Sequence, residues 1–162
     1  MRAALFAMAL AAVALGGCHA QTDQTAANLA ASKTFLMNNA KAAGVVTLPS
    51  GLQYKIVTSG PASGVHPGPG DEVKVNYEGK LVNGTVFDSS FARGEPLSFP
   101  LDRVIPGWTE ALQLMRPGDE WILYVPPELG YGAKAAGPIP PDSVLIFRVQ
   151  LLAILPAPPE NG

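Results

Sequence analysis

Asp88 closes the stretch Thr85-Val86-Phe87-Asp88, which otherwise runs like the start of a half-buried strand. A carboxylate carried toward an apolar interior costs several kcal/mol unless it is hydrogen-bonded or paired, so the position needs either a structural partner or a chemical task. The same chain sets an unusual supply of large side chains beside turns: Tyr77, Phe87, Phe99, Val104, Ile105, Trp108, Tyr131, Ile139 and Phe147. Core packing accounts for each taken alone, and for Phe99 it is the preferred reading. Tyr131 resists it, because Leu129-Gly130-Tyr131-Gly132-Ala133 holds the ring in a glycine-flanked loop where burial is hard.

Other chemistries lack their residues. His19 and His66 have no second His or Cys at ligand spacing, so no metal site is expected. No serine sits in a Gly-x-Ser-x-Gly setting, and Cys18 is the sole cysteine. No phosphate-cradling glycine motif follows a strand, and no Lys/Arg run is interleaved with aromatics, which argues against nucleic acid as a partner. Any catalysis by this chain is expected to proceed without metal, cofactor or covalent intermediate.

The elements that must position these residues are short. Leu52 to Val57 is a strand candidate, Ser59 to Gly70 a Pro/Gly-rich loop, and Asp71 to Leu81 an alternating strand with Val73, Val75 and Tyr77 on one face. Asn83-Gly84 reverses the chain into Thr85 to Asp88. Glu95 to Leu101, Glu120 to Val125 and Val144 to Leu155 complete the strand candidates. Gly107 to Met115 is the one compact helix, its buried stripe made by Trp108, Leu112 and Met115. The expected fold is an α+β domain, a five-stranded antiparallel sheet wrapped around one short helix.

Ahead of it, Asn28 to Ala43 can form a helix stopped by Gly44, with only Leu29, Phe35, Leu36 and Met37 as large apolar groups. So thin a stripe predicts a spacer that docks only lightly; a remnant of a dimerisation arm is the alternative. Met1-Arg2, the apolar run Ala3 to Leu15 and Leu15-Gly16-Gly17-Cys18 form a secretory signal whose end resembles the bacterial lipoprotein site, with Cys18 as the lipidated residue; an ordinary signal peptide that happens to hold a cysteine is the blander account. The expected division is signal peptide 1–17, tether and spacer helix 18–49, folded domain 50–155 and disordered tail 156–162. For a Gram-negative source, His19, where an Asp would resemble the inner-membrane retention signal of lipoproteins, favours an outer-membrane anchor facing the periplasm. Cleavage before Cys18 would leave 162 − 17 = 145 residues with a formal charge of 10 − 13 = −3, one ordinary domain plus a tether.

Six motifs, Val75-Asn76-Tyr77-Glu78-Gly79, Asn83-Gly84 with Phe87-Asp88-Ser89-Ser90, Val104-Ile105-Pro106-Gly107-Trp108, Gly130-Tyr131-Gly132, Ile139-Pro140-Pro141 and Leu145-Ile146-Phe147, occur in an order and spacing that resembles the FKBP-type peptidyl-prolyl cis-trans isomerases. The likeness covers Ser50 to about Ile154. Asn38-Asn39-Ala40-Lys41 together with Leu48 to Tyr54 further resembles the exported macrophage-infectivity-potentiator branch, most of whose long dimerising arm is missing here. The resemblance implies a shallow apolar pocket between sheet and helix with Trp108 as its floor. It implies Asp88, Tyr77, Phe87, Ile105 and Tyr131 as catalytic residues, the Ile105 N–H and Tyr131 hydroxyl donating to a carbonyl. Val104, Trp108, Ile139 and Phe147 would hold substrate, with Leu97 at a rim position where many members carry an aromatic. The implied partners are proline-containing unfolded or folding proteins and macrolide inhibitors such as rapamycin, besides the membrane at Cys18. A chaperone or proline-segment binding module with incidental isomerase activity, or a structural lipoprotein with a vestigial pocket, are the competing readings.

Overall fold

A computed structural model describes the backbone of residues 17–155 and the side chains from residue 23 onward. The signal segment up to Gly16, the side chain of Cys18 and the tail 156–162 lie outside the described residues. α1 (Gly17–Asn39) precedes seven strands: β1 (Val45–Thr47), β2 (Gln53–Thr58), β3 (Glu72–Leu81), β4 (Val86–Ser89), β5 (Leu97–Pro100), β6 (Glu120–Val125) and β7 (Leu145–Leu155). α2 (Ser90–Arg93) follows β4, and α3 (Pro106–Leu112) follows β5. All pairs are antiparallel, in the order β1-β2-β6-β7-β3-β4, with β5 also on β3.

The long strands make the frame. β3 and β7 pair from Glu72↔Leu155 to Leu81↔Leu145, so the alternation of β3 buries Val73, Val75 and Tyr77 on the face that also carries Val149 and Leu151. β5 and β4 share the outer edge of β3, at Glu72–Val75 and Glu78–Lys80 respectively. α3 fills the inner face with Trp108, Ala111, Leu112 and, just beyond its last turn, Met115. Pro106 stands at N1, where its missing N–H costs nothing, and Gly107 is needed because a Cβ there would come within 2.7 Å of a Val125 methyl.

Three expectations change. The sheet has seven strands rather than five: each of the six runs named in the sequence forms one, and β1, a three-residue, largely exposed strand with no alternation to announce it, is the seventh. Its pairing with β2 also starts the sheet at Val45, ahead of the expected boundary at residue 50. α1 is longer than expected and ends at Asn39; turns from Asn38 and Asn39 carry the chain to Gly44, whose φ of 80° serves the bend rather than the helix end.

α1 also docks more firmly than its thin stripe predicts. It crosses the outer face of the sheet, where the Phe35 ring lies 6.1 Å from that of Tyr124. Gln53, 3% exposed, donates to the Leu36 carbonyl at 2.9 Å and accepts from Asn39 Nδ2 at 2.8 Å. These are polar anchors, to which a hydrophobic pattern is blind. The 59–70 loop is pinned as well: Asp119 accepts from the Gly60 amide at 2.6 Å, and His66 Nδ1 donates to the Met115 carbonyl at 3.0 Å.

Candidate active site

Between the inner face and the start of α3 lies a cavity of about 420 Å³. Trp108 lines it, meeting Tyr77 edge-on at 5.2 Å, Phe147 at 5.2 Å and Phe99 at 5.7 Å between ring centroids. Phe87 meets Phe147 in the same manner at 5.6 Å. Such edge-to-face contacts set positive ring edges on negative faces and lock each ring's orientation. Val104, Ile105, Tyr131 and Ile139 complete the apolar lining, with Asp88 and Arg103 as its charged members.

Ten of the lining residues other than Arg103 are those the sequence singled out, Phe99 among them, though core packing is the expectation for it. Leu97 does not line the cavity. Leu97 and Phe99 face the same side of β5, opposite Val75 and Val73, but the aliphatic chain stops on the core while the longer ring of Phe99 reaches Trp108 and Tyr77. The side chain that β5 contributes to the cavity is therefore Phe99.

Asp88 has a partner network as well as a place in the cavity. It accepts from the Tyr77 hydroxyl and forms an ion pair with Arg93, whose second nitrogen donates to the Tyr77 oxygen at 3.1 Å. The single turn of α2 makes this possible. Ser89 caps it by accepting from the Ala92 amide at 3.2 Å, and Gly94, at φ 77°, closes it with its N–H on the Ser90 and Phe91 carbonyls. Arg93 is thereby returned over Asp88. Ser90, wholly buried, accepts from the Tyr77 amide at 2.8 Å and donates to Asn76 Oδ1 at 3.1 Å, tying α2 to β3.

Burial pushes the Asp88 carboxyl up, but the hydrogen bonds from Tyr77 and Arg93 and the nearby guanidinium outweigh it, so the net shift is below the usual carboxylate range. Burial first, then the bond to Asp88, pushes the Tyr77 hydroxyl up, against the opposing pull of Arg93. At neutral pH the site holds a fixed carboxylate, a neutral phenol and a cation.

Two donors remain for a ligand. Ile105 has φ −59° and ψ 148°, the extended backbone that a following proline enforces. Among the described residues its N–H meets no acceptor, and neither does the Tyr131 hydroxyl, on a side chain 45% exposed. Arg93 and Arg103 are the members that sequence reading missed. For Arg93 the available signal was Ser89 four residues before it and Gly94 after it, a capped turn; Arg103 has no comparable signal. Among the described residues no cluster of three or more His, Cys, Asp or Glu could hold a metal ion.

A family model described as FKBP-type peptidyl-prolyl cis-trans isomerase matches residues 64–152, and one for the domain amino terminal to it matches residues 6–56. The chain is 52% identical over 128 residues to the peptidyl-prolyl cis-trans isomerase Mip of Coxiella burnetii, covering 78% of this chain and 55% of that protein. To the outer membrane protein MIP of Legionella longbeachae it is 48% identical over 128 residues, covering 78% and 54%. The crystal structure of FkpA from Escherichia coli superposes with a TM-score of 0.82 at 45% identity, over 87% of this chain and 65% of that one. The chain thus spans little more than half the length of these curated relatives. An antiparallel sheet wrapped on one helix, a cavity between them lined by Trp108 and sequence identity near one half agree: the chain belongs to the FKBP-type peptidyl-prolyl cis-trans isomerase family.

Proposed function

We propose that the protein is a peptidyl-prolyl cis-trans isomerase that accelerates X-Pro bond rotation in unfolded or folding proteins of the cell envelope. The observation that carries this reading is an aromatic cavity with a fixed carboxylate on one wall and the unpartnered Ile105 N–H on another. Rotation about the X-Pro bond faces a barrier of roughly 18–20 kcal/mol because amide resonance is lost at the twisted geometry. A site that favours the twisted amide over both planar forms speeds exchange in both directions. The cavity takes the proline ring and strips water from the carbonyl. As the nitrogen lone pair leaves conjugation the carbonyl carbon becomes more positive, and the Asp88 carboxylate, held by Arg93 and Tyr77, favours that charge. The Ile105 N–H and Tyr131 hydroxyl hold neighbouring carbonyls so that the chain rotates about one bond only. No proton is transferred and no covalent bond forms. Catalysis of peptide isomerisation, inhibited by rapamycin bound in the same cavity, is the expected result. Tight rapamycin binding without catalysis would leave a binding module or chaperone as the better account.

The second element of the proposal is location. The lipobox at Leu15-Gly16-Gly17-Cys18 supports cleavage before Cys18 and lipidation of its thiol, and the relative named outer membrane protein MIP supports an envelope setting. Cys18 lies at the start of α1, whose 23 residues at 1.5 Å each span about 35 Å. No helix among the described residues is long and apolar enough to cross a membrane. Cys18→Ser is expected to move the protein from the membrane fraction to the soluble fraction; unchanged fractionation would contradict lipidation.

A further inference from the structure

α1 reaches the cavity's supporting loop. Ser32, 6% exposed, donates its hydroxyl to the Asp142 carbonyl at 2.6 Å, and Asn28, one turn earlier, donates its amide to the Pro141 carbonyl at 3.2 Å. These acceptors lie two and three residues after Ile139, which lines the cavity and is fixed on its other side by paired backbone bonds with Ala136 at 3.0 Å. The Asp142 amide in turn donates to the Gly132 carbonyl at 2.8 Å, in the loop that presents Tyr131. Asp142 is the one described residue other than glycine with positive φ, at 55°. A left-handed backbone is unfavourable for a residue with a Cβ and persists where its surroundings over-determine it. Here the N–H is held from the Tyr131 loop and the C=O from α1.

We propose that Ser32 and Asn28 are positioning residues of the peptide pocket: docked α1 fixes the 139–142 segment, and through Asp142 and Gly132 it sets the Ile139 and Tyr131 walls. This rests on the reading of the cavity as a proline-peptide site. It makes the segment between the anchor and the sheet a working part of that site, beyond its use as a spacer.

The test compares Ser32→Ala, Ser32→Thr and Asn28→Ala in the full chain with Asn39→Ala, which loosens α1 at Gln53, away from the loop. Ser32→Ala leaves a buried carbonyl without its donor. It is expected to raise KM for a Leu-Pro peptide about threefold to tenfold, with a smaller change in kcat, and to speed hydrogen exchange at the Asp142 amide by a similar factor. Asn28→Ala is expected to shift both in the same sense by less. A cavity of about 300 Å³ beside Ser32 has room for a methyl, so Ser32→Thr is expected to restore both readouts. Asn39→Ala is expected to lower Tm and leave KM unchanged. A lowered Tm in Ser32→Ala with wild-type KM and wild-type Asp142 exchange would overturn the proposal, leaving Ser32 a fold contact only. Should Ser32→Ala fail to fold, Asn28→Ala carries the same two readouts, and wild-type values there would overturn it equally. Should the wild-type protein show no turnover, the isomerase reading fails by itself. Peptide affinity from tryptophan fluorescence, with Asp142 exchange, then decides the positioning role.

Discussion

Asp88→Asn is expected to lower kcat/KM for a Leu-Pro peptide about 10- to 100-fold while the circular dichroism spectrum is unchanged. Removing one preorganised donor from a water-excluded site costs about 100- to 1,000-fold, and the smaller loss expected here reflects a carboxylate whose side chain is 39% exposed. Asparagine keeps the shape but offers one acceptor oxygen where the carboxylate offers two, Oδ2 to Tyr77 and Oδ1 to Arg93, so the loss reports the charge together with one of these contacts rather than a collapse of the wall. A drop below twofold would mean that desolvation and the carbonyl donors suffice without the carboxylate.

The pH dependence follows from the same network. Because the folded carboxyl titrates below its unfolded value, its stabilising contribution is present above the ordinary carboxylate pKa of about 4 and disappears as pH falls through the lower folded value. The side chain is 39% exposed, so solvent screens this contribution and its effect on stability is small. Activity should therefore be flat from pH 6 to 9, with Tyr77 held above its usual pKa, and should fall only in acid. A decline already visible between pH 7 and 6 would show that a group other than Asp88 controls the rate.

Gly79→Ala should be the more damaging change to the pocket as a whole. A Cβ at Gly79 would stand 2.6 Å from the edge of the Phe87 ring and 2.7 Å from that of Phe147, between the two rings that meet edge-on across the cavity. Both are hemmed in, Phe147 by Trp108 and Phe87 by Phe147 itself, so neither can yield without moving into the space a proline would occupy. Overpacking of this kind costs about 1–3 kcal/mol. The expected result is a Tm lowered by several degrees together with loss of rapamycin binding, read by calorimetry. Retention of full affinity with lowered stability would place the relaxation behind the sheet instead of in the cavity.

These residues differ in how far the sequence announces them. Tyr77, Asp88, Trp108 and Tyr131 are legible because each lies in a short contiguous pattern whose turn chemistry fixes its setting, as Asn83-Gly84 does ahead of β4 and Pro106-Gly107 at the start of α3. Arg93 was not, since its reach to Asp88 depends on one capped turn five residues later. Leu97 and Phe99 share a strand face, and only the curvature of the sheet and the length of the ring decide which reaches Trp108. β1 escaped because three largely exposed residues make no periodicity. The docking of α1 escaped for another reason: Ser32, Asn28 and Asn39 hold it by hydrogen bonds to Asp142, Pro141 and Gln53, and polar residues on a helix are by default read as a solvated face.

The most direct test of the central claim is the rate of cis–trans exchange in a Leu-Pro peptide, followed with and without the protein and again with rapamycin present. Exchange accelerated in both directions, and returned to the uncatalysed rate by an equimolar amount of rapamycin, is the result expected of a cavity that favours the twisted amide. An uncatalysed rate with the intact, folded protein would contradict it.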